Sequence, residues 1–398
     1  MQRVVITGLG CLTPIGNDSA TLWQSILASK TGIRSLPTVD PSIKFTRAGI
    51  IEHLDTSTLS NTQLQTTERS AQLALLAARQ AVSDAGLAII PDKTAILLGC
   101  STNGRQSEEP EIAAVYTRDA RVHPLTIPRS MASNGASQVA IDQGITGPTL
   151  TISTACASGA HAIGLAFHMI RSGMITAALA GAHEAPLTRS FLRAWDSMRV
   201  VSPTSCRPFS ADRDGMTLAE GAAILTLETL ESATARNAKI YAEILGFGMS
   251  TDAHHITQPR PEGPAQAIRA ALADANLTSA DINYINAHGT ATRANDATET
   301  AALHQVFGEK IPLISGTKGF HGHSLGASSA IETLITALAL HHRVLPHTLG
   351  TQTCDPSLDL ADALILNAPR PAPAHSIALT NALAFGGLNA ILVLRAMA

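Results

Sequence analysis

The sequence predicts an α/β protein whose sheets are largely buried. Short apolar runs bounded by glycine, proline or polar turns alternate with longer segments that carry apolar residues at helical spacing. Of the 398 residues, 45% are hydrophobic and only 15% are charged, so the chain can bury an extensive core. Aromatic residues make up 3%, and the many small residues suit closely packed layers of helices and sheets.

Nine segments have the composition and flanking turns of buried strands: 4–7, 94–98, 150–153, 177–180, 222–226, 284–286, 313–316, 377–381 and 390–394. The first strand is predicted to give way to a loop at Gly8. Five segments between the strands have the apolar spacing of helices: 63–86, 157–170, 265–275, 296–307 and 327–341.

The two halves of the chain show a weak internal similarity. Residues 150–159 have the pattern of a strand, a sharp turn and a helix, and residues 377–387 have a similar turn of small residues after a strand. The seam is predicted near 237–239. We therefore divide the chain into an N-terminal half, residues 1–237, and a C-terminal half, residues 238–398.

Composition and charge argue against several classes of protein. The formal net charge of −3 gives no basic excess, so we expect no nucleic-acid partner. Five scattered cysteines without a CxxC pair argue against disulfides and zinc, and favour a reducing cytoplasm. Glycine and proline interrupt the N-terminal apolar run too early for a signal peptide, and no run of ~18 apolar residues predicts a membrane span.

Gly8-Leu-Gly10 follows the first strand and resembles the start of a dinucleotide-binding fingerprint. The third glycine is missing at its required spacing, and Pro14 interrupts the helix that should follow. We therefore expect no dinucleotide cofactor.

Cys156 lies between a predicted buried strand and a helix that begins with small residues. A thiol at a helix N-terminus faces the positive end of the backbone dipole, which favours the nucleophilic thiolate. The sharp turn is also similar to a nucleophile elbow. The alternative from these residues alone is a buried cysteine that acts as a small apolar side chain. The other four cysteines lack this setting, and we expect them to be structural.

Two histidines, His288 and His323, each follow a predicted strand and stand beside glycine. Such positions let a substrate approach the backbone, and an imidazole N–H can stabilise a developing oxyanion. His323 with His321, and the neighbouring His254 and His255, also suggest a metal site. No further ligand stands at metal-binding spacing, so we expect no metal.

Lys318 and Glu332 complete the candidate site. Glu332 falls in an otherwise apolar helix and needs a partner, and Lys318, five residues before His323, is the obvious candidate. An ordinary buried ion pair remains the alternative. Asp296 and Glu299 follow the first histidine motif and are expected to complement a helix dipole.

With Cys156, His288, Lys318 and His323 in that order, the chain resembles the β-ketoacyl-[acyl-carrier-protein] synthases, specifically the elongating Cys-His-His type. The resemblance runs from end to end, with landmarks at residues 4–10, 207–215, 220–222, 250–255 and 385–389.

The resemblance implies a thiolase-like fold of two related halves, stacked as αβαβα layers. It implies decarboxylative Claisen condensation of a malonyl-carrier thioester with an acyl chain, in fatty acid or in polyketide or polyene biosynthesis. The implied partner is an acyl carrier protein, whose phosphopantetheine carries the substrate, so the chain itself needs no cofactor. A homodimer is the usual assembly, and a heterodimer with a subunit similar to a chain-length factor is the alternative.

It also implies a role for each site residue. Cys156 would accept the acyl chain, and His288 and His323 would hold the malonyl thioester oxygen while the carboxylate leaves. Backbone N–H groups of Cys156 and Phe385 would form the oxyanion hole, and Phe385 would gate the pocket.

Further roles follow from the same resemblance. Lys318, paired with Glu332, would position and tune the histidines, and Thr290 and Thr292 would bind the pantetheine arm. A thiolase would carry a second cysteine in the C-terminal glycine-rich turn, and an initiating synthase would have asparagine in place of His323. A chain-length factor would lack the nucleophile.

Some positions depart from the family pattern. Ala384 replaces a glycine before Phe385, and Leu388 replaces a threonine. A Cβ at Ala384 should restrict the backbone on which Phe385 swings. These departures indicate a specialised pathway, and a non-elongating subunit that supports a partner synthase is the competing interpretation.

Overall fold

Strands and helices alternate throughout the computed structural model, which describes residues 1–36, 40–86, 93–360 and 362–397. The strands are β1 (Val4–Leu12), β2 (Ile33–Ser35), β3 (Arg47–Gly49), β4 (Thr94–Gly99), β5 (Thr149–Ile152), β6 (Ala177–Glu184), β7 (Gly221–Thr229), β8 (Ala242–Thr251), β9 (Tyr284–Asn286), β10 (Leu313–Ser315), β11 (Val344–Leu345), β12 (Arg370–Pro371), β13 (Ile377–Ala384) and β14 (Leu388–Ala396). The helices are α1 (Ser19–Leu27), α2 (Asn61–Thr66), α3 (Arg69–Ala85), α4 (Arg105–Arg118), α5 (Thr126–Ser130), α6 (Asn134–Gln143), α7 (Ser158–Arg171), α8 (Arg189–Ser197), α9 (Leu230–Ala235), α10 (Glu262–Asp274), α11 (Arg293–Phe307), α12 (Lys318–His321) and α13 (Ser328–His342). Short 3₁₀ turns cover Ser279–Asp281, Leu325–Ala327 and Pro356–Leu358.

All nine predicted strands are present, but the sequence prediction missed β8 of the large sheet and the short strands β2, β3, β11 and β12, and it cut β1 short. β1 continues through Gly8 to Leu12, where a loop was expected. β8 went unrecognised because Gly246 and Gly248 interrupt its apolar run. In both strands the glycines have a packing role that a propensity argument does not register.

Ten strands of the described chain form one sheet, whose order shows two related halves. Outward from the centre, one half runs β1, β7, β6, β4, β5, and the other runs β8, β14, β13, β9, β10. In each half the first two pairings are antiparallel and the last two are parallel. The halves join where Val4–Ile6 of β1 pairs with Ala242–Ile244 of β8.

This order corrects the internal repeat that we matched from sequence. Residues 150–159 contain β5, whose counterpart is β10, whereas residues 377–387 contain β13, whose counterpart is β6. The two turns look alike because each follows the carboxyl end of a strand that pairs in parallel. The boundary between residues 237 and 238 falls between α9 and β8 and stays a prediction.

The halves stack as five layers. α7 and α13 lie in the middle and contact strands of both halves, α3 and α6 cover one outer face, and α10 with α11 covers the other. One apolar core surrounds the middle helices, and another lies beneath each outer pair. α13 is buried from Ser328 to Leu340. Within the described ranges, no helix has both the length and the hydropathy needed to cross a membrane.

Glycines on the first strand of each half let an outer helix approach the sheet. A Cβ on Gly10 would lie 1.9 Å from the backbone oxygen of Ala77 in α3. A Cβ on Gly248 would lie 2.2 Å from that of Ala267 in α10. The Gly8-Leu-Gly10 motif is therefore a helix-packing feature that the second half repeats.

We expect Gly10→Ala to lower the free energy of unfolding by about 1–3 kcal/mol, because the added methyl group overpacks the contact between β1 and α3. Thermal and denaturant unfolding would measure the change. Ser83→Ala, on the exposed face of α3, is the matched control and should stay within about 0.5 kcal/mol of the parent. Equal stability of both variants would show that α3 can move away without cost.

Candidate active site

Cys156 lies in a strained turn between β5 and α7, as the sequence predicts. Ala155 has a φ of +48°, in the left-handed region that is unfavourable for a residue with a Cβ, so the chain turns sharply before the sulfur. The hydroxyl of Ser158 accepts a hydrogen bond from Thr154 N–H at 2.9 Å and donates one to the Ala155 carbonyl at 2.6 Å. The turn holds Cys156 with 8% of its surface exposed.

Burial dominates the acidity of this thiol and raises the pKa of Cys156 to about 11. The Lys318 ammonium and the backbone N–H groups of Phe385 and Cys156 oppose this rise, because each stabilises negative charge on sulfur. The helix N-terminus was expected to favour the thiolate, but α7 begins two residues after Cys156 and burial acts in the opposite direction. The two opposing N–H groups are those assigned to the oxyanion hole.

Three groups predicted from separate motifs converge in space. The sulfur of Cys156 and one ring nitrogen of each of His288 and His323 lie within 4.8 Å of one another. The two rings are nearly perpendicular, at 84°, with centroids 5.5 Å apart. Their motifs follow β5, β9 and β10, so all three groups lie beyond the carboxyl ends of strands that pair in parallel, where α/β sheets bind ligands.

His323 is a neutral ring with its proton on Nε2. Its Nδ1 accepts from Leu325 N–H at 3.2 Å and lies 2.8 Å from Ser328 Oγ. A backbone N–H can only donate, so Nδ1 carries no proton. Burial, and then the charges of Lys318 and His321, hold the pKa of His323 well below its usual range. Its Nε2–H therefore remains as a donor for a substrate oxygen.

Lys318 joins His288 to Glu332, and the predicted Lys318–Glu332 pair is present. The ammonium lies 3.3 Å from His288 Nδ1, donates to the His288 carbonyl and pairs with Glu332 Oε1. An ammonium only donates, so Nδ1 of His288 accepts and the ring proton lies on Nε2. Burial and Lys318 hold the pKa of His288 well below its usual range. Burial raises the pKa of Glu332 to about 7, and Lys318 opposes that rise.

Asp296 and Glu299, both in α11, were expected only to complement the dipole of a helix. The structure corrects this interpretation, because both carboxylates bind the loop that carries His288. Glu299 accepts from the N–H groups of His288 at 2.8 Å and Gly289 at 2.9 Å. Asp296 accepts from Ala291 N–H at 3.1 Å. Both carboxylates are buried, so they fix the loop that carries His288. The sequence places them at the start of a helix but does not show that the loop folds back onto them.

A cavity of about 220 Å³ reaches these groups. Thr290 and Thr292 belong to its lining, with their hydroxyl oxygens 2.9 Å apart. Thr292 also caps α11 by accepting from Asn295 N–H at 3.3 Å. The apolar side chains of the lining include those of Trp195, Met198, Val200, Met216, Leu383 and Phe385.

The cavity lining contains a residue that sequence reasoning missed, Trp195. Trp195 stacks on Phe385 with ring centroids 5.9 Å apart and planes 23° apart. Trp195 is one of only two tryptophans in the chain, yet nothing in its local sequence points to the distant ring of Phe385.

Cys156, His288 and His323 also have the donor types of a metal site. Protein N–H donors occupy Nδ1 of both rings, and the buried ammonium of Lys318 beside His288 opposes a bound cation. The donor set suits nucleophilic and oxyanion chemistry better than metal binding, and the absence of a metal stays an expectation.

Comparison with known proteins decides the family. Residues 1–233 match the N-terminal domain family of β-ketoacyl synthases, and residues 241–352 match the C-terminal domain family. The chain belongs to the β-ketoacyl synthase family. It is a ketosynthase, an acyltransferase of fatty acid or polyketide synthesis, and the resemblance read from its motifs is confirmed.

Relatives of this ketosynthase match over nearly the whole chain. Nodulation protein E of Rhizobium sp. (strain N33) is 40% identical over 402 residues, which cover 99% of each chain. The 3-oxoacyl-[acyl-carrier-protein] synthase 2 of Staphylococcus aureus (strain COL) is 38% identical, over 99% of this chain and 98% of the relative.

Solved structures confirm the thiolase-like fold of the ketosynthase. The ishigamide ketosynthase/chain length factor superimposes with a TM-score of 0.94 at 33% identity, covering all of both chains. AntDE:AntF, a type II polyketide synthase acyl carrier protein in complex with its hexaketide-bound ketosynthase, superimposes with a TM-score of 0.90 at 31% identity, also over all of both chains.

The raised pKa of Cys156 predicts how the resting thiol reacts with iodoacetamide. Only the thiolate reacts, so below a pKa of about 11 the rate should rise about tenfold per pH unit between pH 7 and 10. Intact mass spectrometry would follow the adduct. The variant Cys156→Ala would serve as the control, because any adduct on it lies on one of the four other cysteines. A plateau reached by pH 8 would contradict the raised pKa.

Proposed function

We propose that this ketosynthase holds an acyl chain as a thioester on Cys156 and extends it with a malonyl unit that loses CO₂. The observation that carries the proposal is that the Cys156 sulfur and one ring nitrogen of each of His288 and His323 lie within 4.8 Å of one another, in a cavity with many apolar lining residues. One nucleophile and two neutral N–H donors are the groups that acyl transfer and enolate stabilisation require.

The first half-reaction is acyl transfer. The Cys156 sulfur attacks the acyl thioester, the bond to the carrier sulfur breaks, and the proton of the Cys156 thiol passes to the carrier thiolate, which leaves as a thiol. The N–H groups of Cys156 and Phe385 stabilise the tetrahedral oxyanion. Lys318 and these same N–H groups already oppose the burial that raises the thiol pKa, so they also stabilise the sulfur as it becomes negative.

The second half-reaction begins with the malonyl thioester. Nε2–H of His288 and of His323 donate to its thioester oxygen, the carboxylate leaves as CO₂, and the electron pair forms an enolate. The enolate carbon attacks the acyl thioester, a carbon–carbon bond forms, and the Cys156 thiolate departs. Neutral rings suit this step because a charged imidazolium would be costly in so buried a site.

The substrate arrives on an acyl carrier protein, whose phosphopantetheine arm enters the cavity, and the chain itself holds no cofactor. Thr290 and Thr292 supply hydroxyl groups for the amides of that arm. Exposed Arg199, Arg260 and Arg293 each adjoin a residue that lines the cavity and offer positive charge to an acidic carrier surface.

The assembly and setting follow from the same proposal. We favour a homodimer, with a heterodimer that includes a chain-length-factor-like subunit as the alternative, since one structural neighbour is a ketosynthase/chain length factor. Free, buried cysteines support a reducing cytoplasm. The departures from the family pattern at Ala384 and Leu388 support a specialised acyl chain in a polyketide or polyene pathway.

Cys156→Ala should abolish condensation because no acyl thioester can form. The purified protein would be given octanoyl- and malonyl-N-acetylcysteamine thioesters, with adduct mass, CO₂ and β-ketoacyl product measured. Cys354→Ala, whose thiol is buried outside the cavity lining, should behave like the parent. If the parent forms no adduct and releases no CO₂, even with its native carrier protein, the chain is a non-elongating subunit.

His288→Ala should separate the half-reactions. Loss of one oxyanion donor should slow CO₂ release about 10²- to 10³-fold, while acylation of Cys156 continues. His53→Ala, at an exposed histidine away from the cavity, is the matched control. Equal loss of acylation and CO₂ release would contradict this division of labour.

A further inference from the structure

The Trp195 side chain connects the surface helix α8 to the turn that carries Phe385. Its indole is 9% exposed, lines the cavity and stacks on the Phe385 ring. Phe191, one helical turn earlier, meets the indole edge to face at 6.0 Å and 83°. The Arg105 guanidinium in turn lies 5.6 Å from the centre of the Phe191 ring. Trp195 thus has two aromatic contacts, the stack on Phe385 and the edge-to-face contact with Phe191.

The outer face of α8 is tied down by charged groups. Asp40 accepts from Arg189 at 2.7 Å and from Arg193 at 2.8 Å. Glu109, in α4, accepts from the N–H and hydroxyl of Ser190. These contacts hold α8 in place on its solvent-facing side. Trp195 therefore offers a fixed surface against which Phe385 can rest.

In the turn that carries Phe385, the backbone is constrained before the ring and has more freedom after it. Ala384 ends β13 and pairs with Leu388, so the chain before the ring is held in the sheet. Gly386 has a φ of +85°, and a Cβ there would meet no atom closer than 3.6 Å. Its N–H donates to Ile256 O at 2.8 Å. Gly387 is packed against Asp252, where a Cβ would lie only 2.5 Å from the aspartate Cβ. The backbone freedom predicted to be limited at Ala384 therefore lies after the ring, at Gly386.

Movement of Phe385 would also affect the chemistry. The ring of this residue lines the cavity, and its backbone N–H lowers the pKa of the Cys156 thiol. A chain that displaces the ring acts on the residue that donates this N–H. The contact that holds the ring therefore influences both the space for an acyl chain and the formation of the thioester.

We infer that Trp195 is a positioning residue that holds the Phe385 ring in the apolar lining of the cavity. By doing so it selects which acyl chains are transferred to Cys156. The inference rests on the proposed function and adds to it a specificity-determining contact. A long chain must separate the two rings, whereas a short chain can bind beside them. An aromatic stack of this kind is worth roughly a 2- to 12-fold change in an equilibrium.

The separation of the rings can be observed directly. Trp23, the second tryptophan, stacks on His342 in a different part of the core, so Trp23→Phe leaves Trp195 as the sole indole. We expect acylation of this variant with dodecanoyl-N-acetylcysteamine to shift the emission of Trp195, and acetyl-N-acetylcysteamine to shift it less. Adding Cys156→Ala should abolish both shifts.

A second experiment compares Trp195→Leu with Trp195→Phe. The leucine variant removes the stack, and the phenylalanine variant keeps a ring. We expect the ratio of dodecanoyl to acetyl acylation rates to rise about 2- to 12-fold in Trp195→Leu and to change less in Trp195→Phe. Rates would be measured by intact mass, with thermal melting as the check on folding.

The outcomes separate this inference from the proposed function. If no adduct forms on Cys156, the proposed function fails. If the adduct forms completely but Trp195 emission is the same for both chains, the role of Trp195 is wrong. Equal loss of all acylation rates in Trp195→Leu would indicate a merely structural role. Should that variant fail to fold, the emission experiment decides alone.

Discussion

The middle helices α7 and α13 meet where Gly159 faces Ala330, and a Cβ on the glycine would lie only 2.8 Å from the alanine. Cys156 stands three residues before this contact on one chain segment, and Glu332 stands two residues after it on the other. Because the contact leaves no space for a side chain, it sets the separation of the nucleophile from the buried charges that support it. The five-layer stack is what brings these two helices together, with each half of the sheet pressing on them from one side.

A single buried ammonium then organises the electrostatics of the site. Lys318 can only donate, so it leaves His288 as a neutral ring with its proton on Nε2. Leu325 N–H imposes the same tautomer on His323. The Lys318 charge also opposes the burial that makes Cys156 a weak acid. A buried ion pair is weak evidence of stability, because desolvation offsets much of its attraction. The contacts of Lys318 instead suit a role in setting proton positions.

The cavity lining combines two kinds of side chain. Thr290 and Thr292 contribute hydroxyl groups, and other residues contribute aromatic rings and thioether groups. The apolar part of the lining draws on α8, the segment around Met216 and the β13–β14 turn, which are far apart in the sequence. Reaction chemistry and acyl-chain preference can therefore vary separately, since one resides in short glycine-bounded motifs and the other in packing between distant segments.

The sequence by itself determined the α/β class, most of the strands and the set Cys156, His288, Lys318 and His323, because each of these residues lies in a local motif beside a strand and small residues. It also indicated the Lys318–Glu332 pair, since a lone carboxylate on an apolar helix needs a partner. Only the tertiary structure decided the burial that raises the pKa of the Cys156 thiol, the loop-holding role of Glu299 and the stack of Trp195 on Phe385. Burial and contacts between distant segments depend on how the layers pack, and neighbouring residues do not encode them individually. For the same reason β8 was missed: its glycines look like strand breakers until α10 is seen to rest on them.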